Sequence, residues 1–501
     1  MTTSHETPLH AATARSILDG YAHLPGTFDE LVGAAGVRPE CHGALAALTS
    51  LAPEAFARML SVAERTLLHK GVTFSVYADS RGTEKIFPFC LVPRPVPADD
   101  WARLERGLVQ RLHALSLFLD DLYGAQRIFE EGVIPRELVL DSKHYLPQLR
   151  HARPPGTVRI PVSGIDLIRD PEGTFRVLED NLRTPSGVSY VLENRLVTKR
   201  VLGPAMEGAR VHRVDHYPAR LAETLRSVSP ESPESSTVVL LTPGPYNSAY
   251  FEHSFLARQM GIELVQSVDL FVDDDKVWLK TTTGPRRVHV IYRRTDEAFL
   301  DPEMFRKDSL IGIPGVMRAW VRGNVALANA PGNGVADDKA TYAFVPDMIR
   351  FYLREEPLLA QVPTWLCARD ADRAFVLEHL PELVVKAVDE AGGYGMLMGP
   401  QSTAAEREEF ARRIVAEPRR YIAQRRVELS ACPTWDADKR AVVARRVDLR
   451  PYLLQGPGLL EGPKGIWVLP GGLTRVALKE GSYVVNSSQG GGSKDTWVIK
   501  P

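Results

Sequence analysis

The sequence is poor in cysteine. Cys41, Cys90, Cys367 and Cys432 are scattered over 501 residues. No two have the spacing of a zinc site or a redox pair, so the expectation is reduced thiols in a cytosolic setting. An excess of charge is also missing: 61 Lys and Arg against 62 Asp and Glu leave a formal net charge of −1. Global attraction to nucleic acid or to an anionic membrane is therefore not expected. No apolar run approaches the roughly 18 residues of a spanning helix. The opening MTTSHETPLH has neither the basic nor the apolar part of a secretory signal. H-E-x-x-H is absent, as is any visible Ser-His-Asp or Cys-His arrangement, which leaves zinc and covalent hydrolase chemistry without support. These absences predict a cytoplasmic protein with no membrane or nucleic-acid partner. What is present, 44% hydrophobic and 25% charged residues, is ordinary for a globular chain, and the length calls for two or three packed lobes.

Residues 1–70 read as helical segments around ALAALTSLAPEAFARML. The plainest helix is 99–124, with Leu104, Leu108, Leu112, Leu115, Leu119 and Leu122 at helical spacing, an acidic first turn and Gly124 at its end. Its polar members read as a solvated face. From 157 to 181, two apolar strands joined by PEG predict an antiparallel hairpin. Residues 186–226 read as helical again, and a Ser/Pro/Glu linker spans 227–236. TVVLLT, a helix from about 249 to 260 and IELVQ then predict a βαβ unit. Its polar turn 242–248, with Tyr246 and Asn247, falls at a strand's carboxyl end, where ligands bind in parallel sheets. A helix over 337–352, a strand and Gly-rich loop over 382–399, a short strand at 421–429 and mostly strand thereafter complete the reading.

Four groups could carry chemistry. On the hairpin, alternation points Glu179 and Asn181 one way and Asp180 the other, with Asp166 able to face them from the partner strand. Two carboxylates and an amide suit Mg²⁺, which takes oxygen ligands; the alternative is a solvated polar face. In VVKAVDEAGGYGMLMG, Lys386 ends an apolar strand before a loop whose bare backbone N–H groups suit phosphates. The alternative is a plain turn, and for Lys339 it is a surface lysine. Arg293, Arg294 and Asp296 leave a strand as either an anion clamp or structural ion pairs. The C-terminal Arg445, Arg446, Arg450, Arg475, Lys479 and NSSQGGGSKD are a flexible loop or a phosphate loop.

Together, GIDLIRDPEGTFRVLEDNLRTPSGVSYVLENR, LTPGPYNSAYFEHSFLA, VIYRRTDEAFLDP, NGVADDKATYAFVPDMI, VVKAVDEAGGYGMLMGP, RRVDLRPY and VVNSSQGGGSKDTWV resemble, in order, segments of the circularly permuted ATP-grasp proteins related to glutathionylspermidine synthetase. The resemblance covers about 70–500. It implies an α/β (α+β) fold: a permuted ATP-grasp with an additional βαβ domain. It divides the chain into a helical segment 1–70, an ATP-grasp part with the metal hairpin at 71–226, a βαβ substrate-side domain at 227–330, and an ATP-grasp part with the lysines and glycine loop at 331–501.

Residue by residue, the resemblance implies Asp166, Glu179 and Asn181 as Mg²⁺ ligands and Lys339 and Lys386 as the ATP lysines. It implies Gly392, Gly393, Tyr394 and Gly395 as the loop over the phosphates, and Gln424 and Val427 beside adenine. Arg293 and Arg450 become candidates for substrate or phosphate contact, and Asn486 begins a C-terminal NSS motif. One position departs: the relative's catalytic arginine, two residues before the first metal ligand, is Gly164 here. That leaves Arg183 or Arg293 to supply the cation, or a different acceptor chemistry. No amidase domain is expected, because the chain offers no Cys-His pair and no spare length. The implied activity is ATP- and Mg²⁺-dependent joining of a small-molecule or peptide carboxylate to an amine through an acyl phosphate, releasing ADP and phosphate. A non-catalytic nucleotide- or peptide-binding homologue and a phosphotransferase are the alternatives. The oligomeric state is not legible in the sequence.

Overall fold

The computed structural model describes residues 16–33, 36–43, 46, 51–75, 84–152, 154, 157–389, 395–457, 465–486 and 491–501. The leucine periodicity does produce a long helix. Strand β1 (Phe89–Val96) leads through Pro97 into α1 (Ala98–Leu122), whose first turn carries Asp99 and Asp100 where the helix dipole favours anions. All six expected leucines are buried. The helix is not one-sided, however. Gln110 and Arg111, expected in solvent, are buried too, and Gly107 admits Leu359 so closely that a β-carbon there would lie 2.3 Å from its Cγ.

The hairpin forms as β2 (Val162–Arg169) and β3 (Phe175–Asn181). The βαβ unit follows as β4 (Val238–Leu241), α2 (Tyr250–Met260) and β5 (Glu263–Val265). With β6 (Val290–Arg293) and β7 (Ala326–Ala328) it makes a parallel sheet ordered β7–β6–β4–β5. The run RRVHVIYRR is split at His289. Its first part, Arg286–Val288, joins a separate three-stranded antiparallel sheet, and the rest becomes β6.

The helix expected over 337–352 is broken into Gly334–Asp337, Lys339–Tyr342, Val345–Met348 and a π-turn at Ile349–Leu353. Two residues explain the breaks. Asp338 adopts extended backbone so that its side chain can cap Ala340 N, and Pro346 has no N–H to continue the preceding turn.

Strands β8 (Ala360–Gln361) and β9 (Thr364–Leu366) part company at this point. β9 joins β10 (Leu383–Ala387), β11 (Leu397–Met398) and β12 (Tyr421–Arg425) in a small sheet, β9–β12–β10–β11. This sheet has its own apolar core, including Cys367, Val376, Leu383, Val385 and Ile414. β8 instead edges a ten-stranded sheet. There it is followed by β3 and β2, and then by β13 (Ala431–Asp436), β14 (Ala441–Arg450), β15 (Tyr452–Gln455), β16 (Ile466–Val468), β17 (Leu473–Val476) and β18 (Gly492–Val498). The path across it is β8–β3–β2–β14–β17–β18–β1. Residues 426–430 are thus the crossing from the small sheet to the large one.

Candidate active site

The β2–β3 register puts Asp166 opposite Glu179 and Gly164 opposite Asn181, with an irregularity after Asp166. Asp180, pointing the other way, accepts bonds of 2.7 and 2.6 Å from Arg111 beneath the sheet. One face of the hairpin therefore carries the candidate residues and the other anchors it to α1.

That candidate face forms a wall of a cleft of about 510 Å³ between the two sheets, within the usual range for a small-molecule site. Asp166, Glu179, Asn181, Lys386, Gln424 and Val427 all line it, drawn from segments more than two hundred residues apart. Its apolar stretch includes Leu178, Val384, Met396 and Met398. A larger cavity, about 980 Å³ around Arg169–Phe175 at the far end of the hairpin, holds none of the candidate residues.

Lys386 Nζ donates to Gln424 Oε1 at 2.8 Å, and Gln424 Nε2 donates to Thr364 Oγ1 at 2.9 Å. The Gln424 amide therefore positions the lysine. Burial pulls the Lys386 ammonium down to about 8, with Glu179 opposing and Lys339 reinforcing the shift. Lys339 opens its short helix, and its Nζ lies 4.0 Å from Glu179 Oε1. Its backbone N–H donates to Val388 O at 3.1 Å, tying it to the end of β10. Gly392, Gly393 and Tyr394 lie outside the described residues; Gly395 is described, with φ +64°.

The arginines separate into two groups. Arg293 is buried, its guanidinium held by the carbonyls of Asn329 (2.6 Å) and Thr295 (3.0 Å), and it does not line the cleft. Arg294 is held by Pro185 O and Glu252, and Arg183 Nε by Asp337 Oδ2 at 2.8 Å. Arg450 is in the cleft, clasping Asp166 with Nε and, at 2.8 Å, with Nη2. Arg475 donates to Asp166 Oδ2 at 2.7 Å and is braced by Asp448. Burial alone would raise the Asp166 carboxyl, but the guanidinium groups of Arg450 and Arg475 outweigh it and hold the group at about 2. Of the position left by Gly164, the space is filled by Arg450: a β-carbon on Gly164 would stand 3.3 Å from Arg450 Cδ.

Sequence reasoning left Arg475 unassigned within a basic stretch and passed over Asp448. Their signal is the period of two: Asp448 and Arg450 share a strand face, and Arg475 pairs with Asp448 across β14–β17. Asn486 also lines the cleft, whereas 487–490 fall outside the described residues. On the βαβ side, Tyr246 is 96% exposed, and Asn247 Oδ1 accepts from Ala249 N. His212 and His216 are four residues apart, but 212–214 are not helical, so the rings do not share a helix face. Among the described residues, no group of three His, Cys, Asp or Glu side chains could hold a metal ion. The hairpin's donor set is of another kind, two carboxylates and an amide, and its chemistry fits Mg²⁺ completed by phosphate oxygens. No described helix is long and apolar enough to cross a membrane.

Comparison with known proteins agrees with this geometry. Residues 93–477 match the family described as circularly permuted ATP-grasp type 2. An uncharacterized protein of Synechocystis is 52% identical over 478 residues, covering 95% of this chain and 98% of its own length. A Frankia alni protein, named provisionally as a glutamate–cysteine ligase, is 42% identical over 484 residues; the match covers 95% of this chain and 54% of that longer one. Among solved structures, the apo form of a glutathione synthetase-like effector from Globodera pallida superposes with a TM-score of 0.57 at 12% identity, covering 90% of this chain and 98% of that one. That likeness speaks for the fold, and the family match for descent. With an acidic hairpin early in the chain and a lysine strand late meeting across one cleft, and with residues 93–477 matched, the chain belongs to the circularly permuted ATP-grasp type 2 family.

Proposed function

We propose that the protein is an ATP-dependent carboxylate–amine ligase working through an acyl phosphate. The observation that carries this reading is the meeting of Asp166, Glu179 and Asn181 with Lys386 in one cleft that has an apolar stretch beside it. ATP would lie with its base against the methionine and valine side chains near Val427 and its phosphates toward Lys386 and Lys339. Asp166, Glu179 and Asn181 would hold Mg²⁺, which supplies charge neutralisation at the β- and γ-phosphates when bound. A carboxylate oxygen of the substrate attacks the γ-phosphorus and ADP leaves, giving an acyl phosphate. The amine then attacks the acyl carbon, phosphate leaves, and the amine's proton passes to solvent. Phosphoryl transfer of this kind needs positioning and fixed charge rather than a nucleophilic side chain. Lys386 and Arg475 meet that need, and Arg450 fills the space beside Gly164.

The substrate pair is not taken from the Frankia relative, since its name covers a chain of which this one spans 54%. Incubating the protein with ATP, Mg²⁺ and pooled amino acids and short peptides, then weighing the products, tests the proposal. Condensation with loss of water and release of ADP supports it; a phosphorylated alcohol indicates a kinase, and nucleotide binding without turnover a binding protein. Glu179→Ala should lower ligation by about two to three orders of magnitude, the scale of removing one preorganised charge-stabilising group. Full activity in that variant would contradict the metal assignment.

A further inference from the structure

Asp166 serves two guanidinium groups at once. Arg475 does not depend on it for its place, because Asp448 accepts from Arg475 Nε at 2.9 and 3.1 Å. Arg450 has a weaker second anchor, a donation of 3.3 Å to Ser186 O. Its aliphatic stem crosses Gly164, where a β-carbon would stand 3.3 Å from Arg450 Cδ and 3.3 Å from Pro185 Cβ. Gly164 does not have left-handed backbone, so its value here is space: it lets the arginine lie over the strand and reach the carboxylate two residues along.

We propose that Arg450 is a shutter on the metal carboxylate, occupying Asp166 in the free protein and leaving it only when an anion draws the guanidinium away. The proposal rests on the reading of Asp166, Glu179 and Asn181 as a magnesium site. A carboxylate that accepts a two-point contact from one arginine and a further bond from another has little capacity left for a hard cation. An approaching divalent ion also meets two positive charges. A triphosphate offers a competing acceptor, since the guanidinium fork matches phosphate oxygens. The cation is therefore admitted together with the nucleotide rather than before it.

The test is a titration of the full chain with Mn²⁺ alone, without nucleotide, following free Mn²⁺ by electron paramagnetic resonance. Arg450→Gln should bind Mn²⁺ about tenfold more tightly than the wild type, the scale of losing a charge-assisted contact. Gly164→Val, which displaces the arginine stem while leaving every charge in place, should shift affinity in the same direction. Adding Glu179→Gln to Arg450→Gln should remove the gain. If Arg450→Gln and Gly164→Val bind no more tightly while Glu179→Gln weakens the wild type, the metal site stands and the shutter is refuted. If Glu179→Gln changes nothing in any background, the metal reading fails and the shutter with it. Circular dichroism melts of each variant confirm that folded protein is being compared.

Discussion

At the scale of single residues, Lys386 makes the sharpest prediction. Its ammonium is depressed to about 8 from an ordinary 10.5, first by burial. Phosphates need the protonated form, so nucleotide affinity should fall as pH rises through about 8, by roughly tenfold between about pH 7 and about pH 9. Stability runs the other way. Between about 8 and 10.5 the unfolded chain binds more protons than the folded one, so this group's contribution grows with pH. Isothermal titration with a non-hydrolysable ATP analogue across that range checks the affinity, and Lys386→Arg should flatten the profile. A flat wild-type profile would mean that the lysine does not meet the phosphates. That Glu179 and Asn181 share a face was legible from strand alternation, whereas their meeting with Lys386 in one cleft was not visible in any local pattern. For Arg293 the sequence left an anion clamp and a structural role open, because a strand-end arginine looks the same whether it faces a ligand or, as here, backbone carbonyls. Gly164 was visible as an oddity, but what fills its space comes from Arg450, and no local pattern links positions 164 and 450.

Among the elements, the hairpin shows how function and stability are divided between two faces. Asp180 and Arg111 are both buried, and their paired bonds anchor β3 to α1. Removing one partner strands a buried charge, so Asp180→Ala should cost about 3–5 kcal/mol in urea unfolding. Asp180→Ala with Arg111→Met should recover much of that loss. A change below about 1 kcal/mol for the single variant would show the pair to be solvated rather than buried. The period-two reading placed Asp180 away from the site correctly. The reading of α1 was half right: its leucine stripe was plain, but Arg111 and Gln110 gave no sign of burial, since their partners lie on β3 and in the segment 355–361. The broken helix over 337–352 was missed for a local reason. Its apolar spacing is helical, and the Asp338 cap and Pro346 that interrupt it outweigh that periodicity.

For the whole molecule, the strand–helix–strand unit and the hairpin could be read from neighbouring residues, whereas the large sheet could not. Leu449 pairs with Leu167, and β18 runs parallel to β1 with Ser493 beside Phe89. Pairings at that separation leave no trace in composition or periodicity; only the order of whole motifs carried them. The same long-range closure brings the hairpin, the lysine strand and the two arginine strands to one cleft. Acyl-phosphate formation in that cleft can be tested without knowing the natural amine. Hydroxylamine intercepts an acyl phosphate as a hydroxamate, so the decisive measurement is hydroxamate and ADP formed from ATP, Mg²⁺ and a pool of carboxylic acids. An acyl-phosphate ligase forms carboxylate-dependent hydroxamate in step with ADP, and Glu179→Ala loses both. Release of AMP, or turnover of ATP that no carboxylate accelerates, would contradict the acyl-phosphate route.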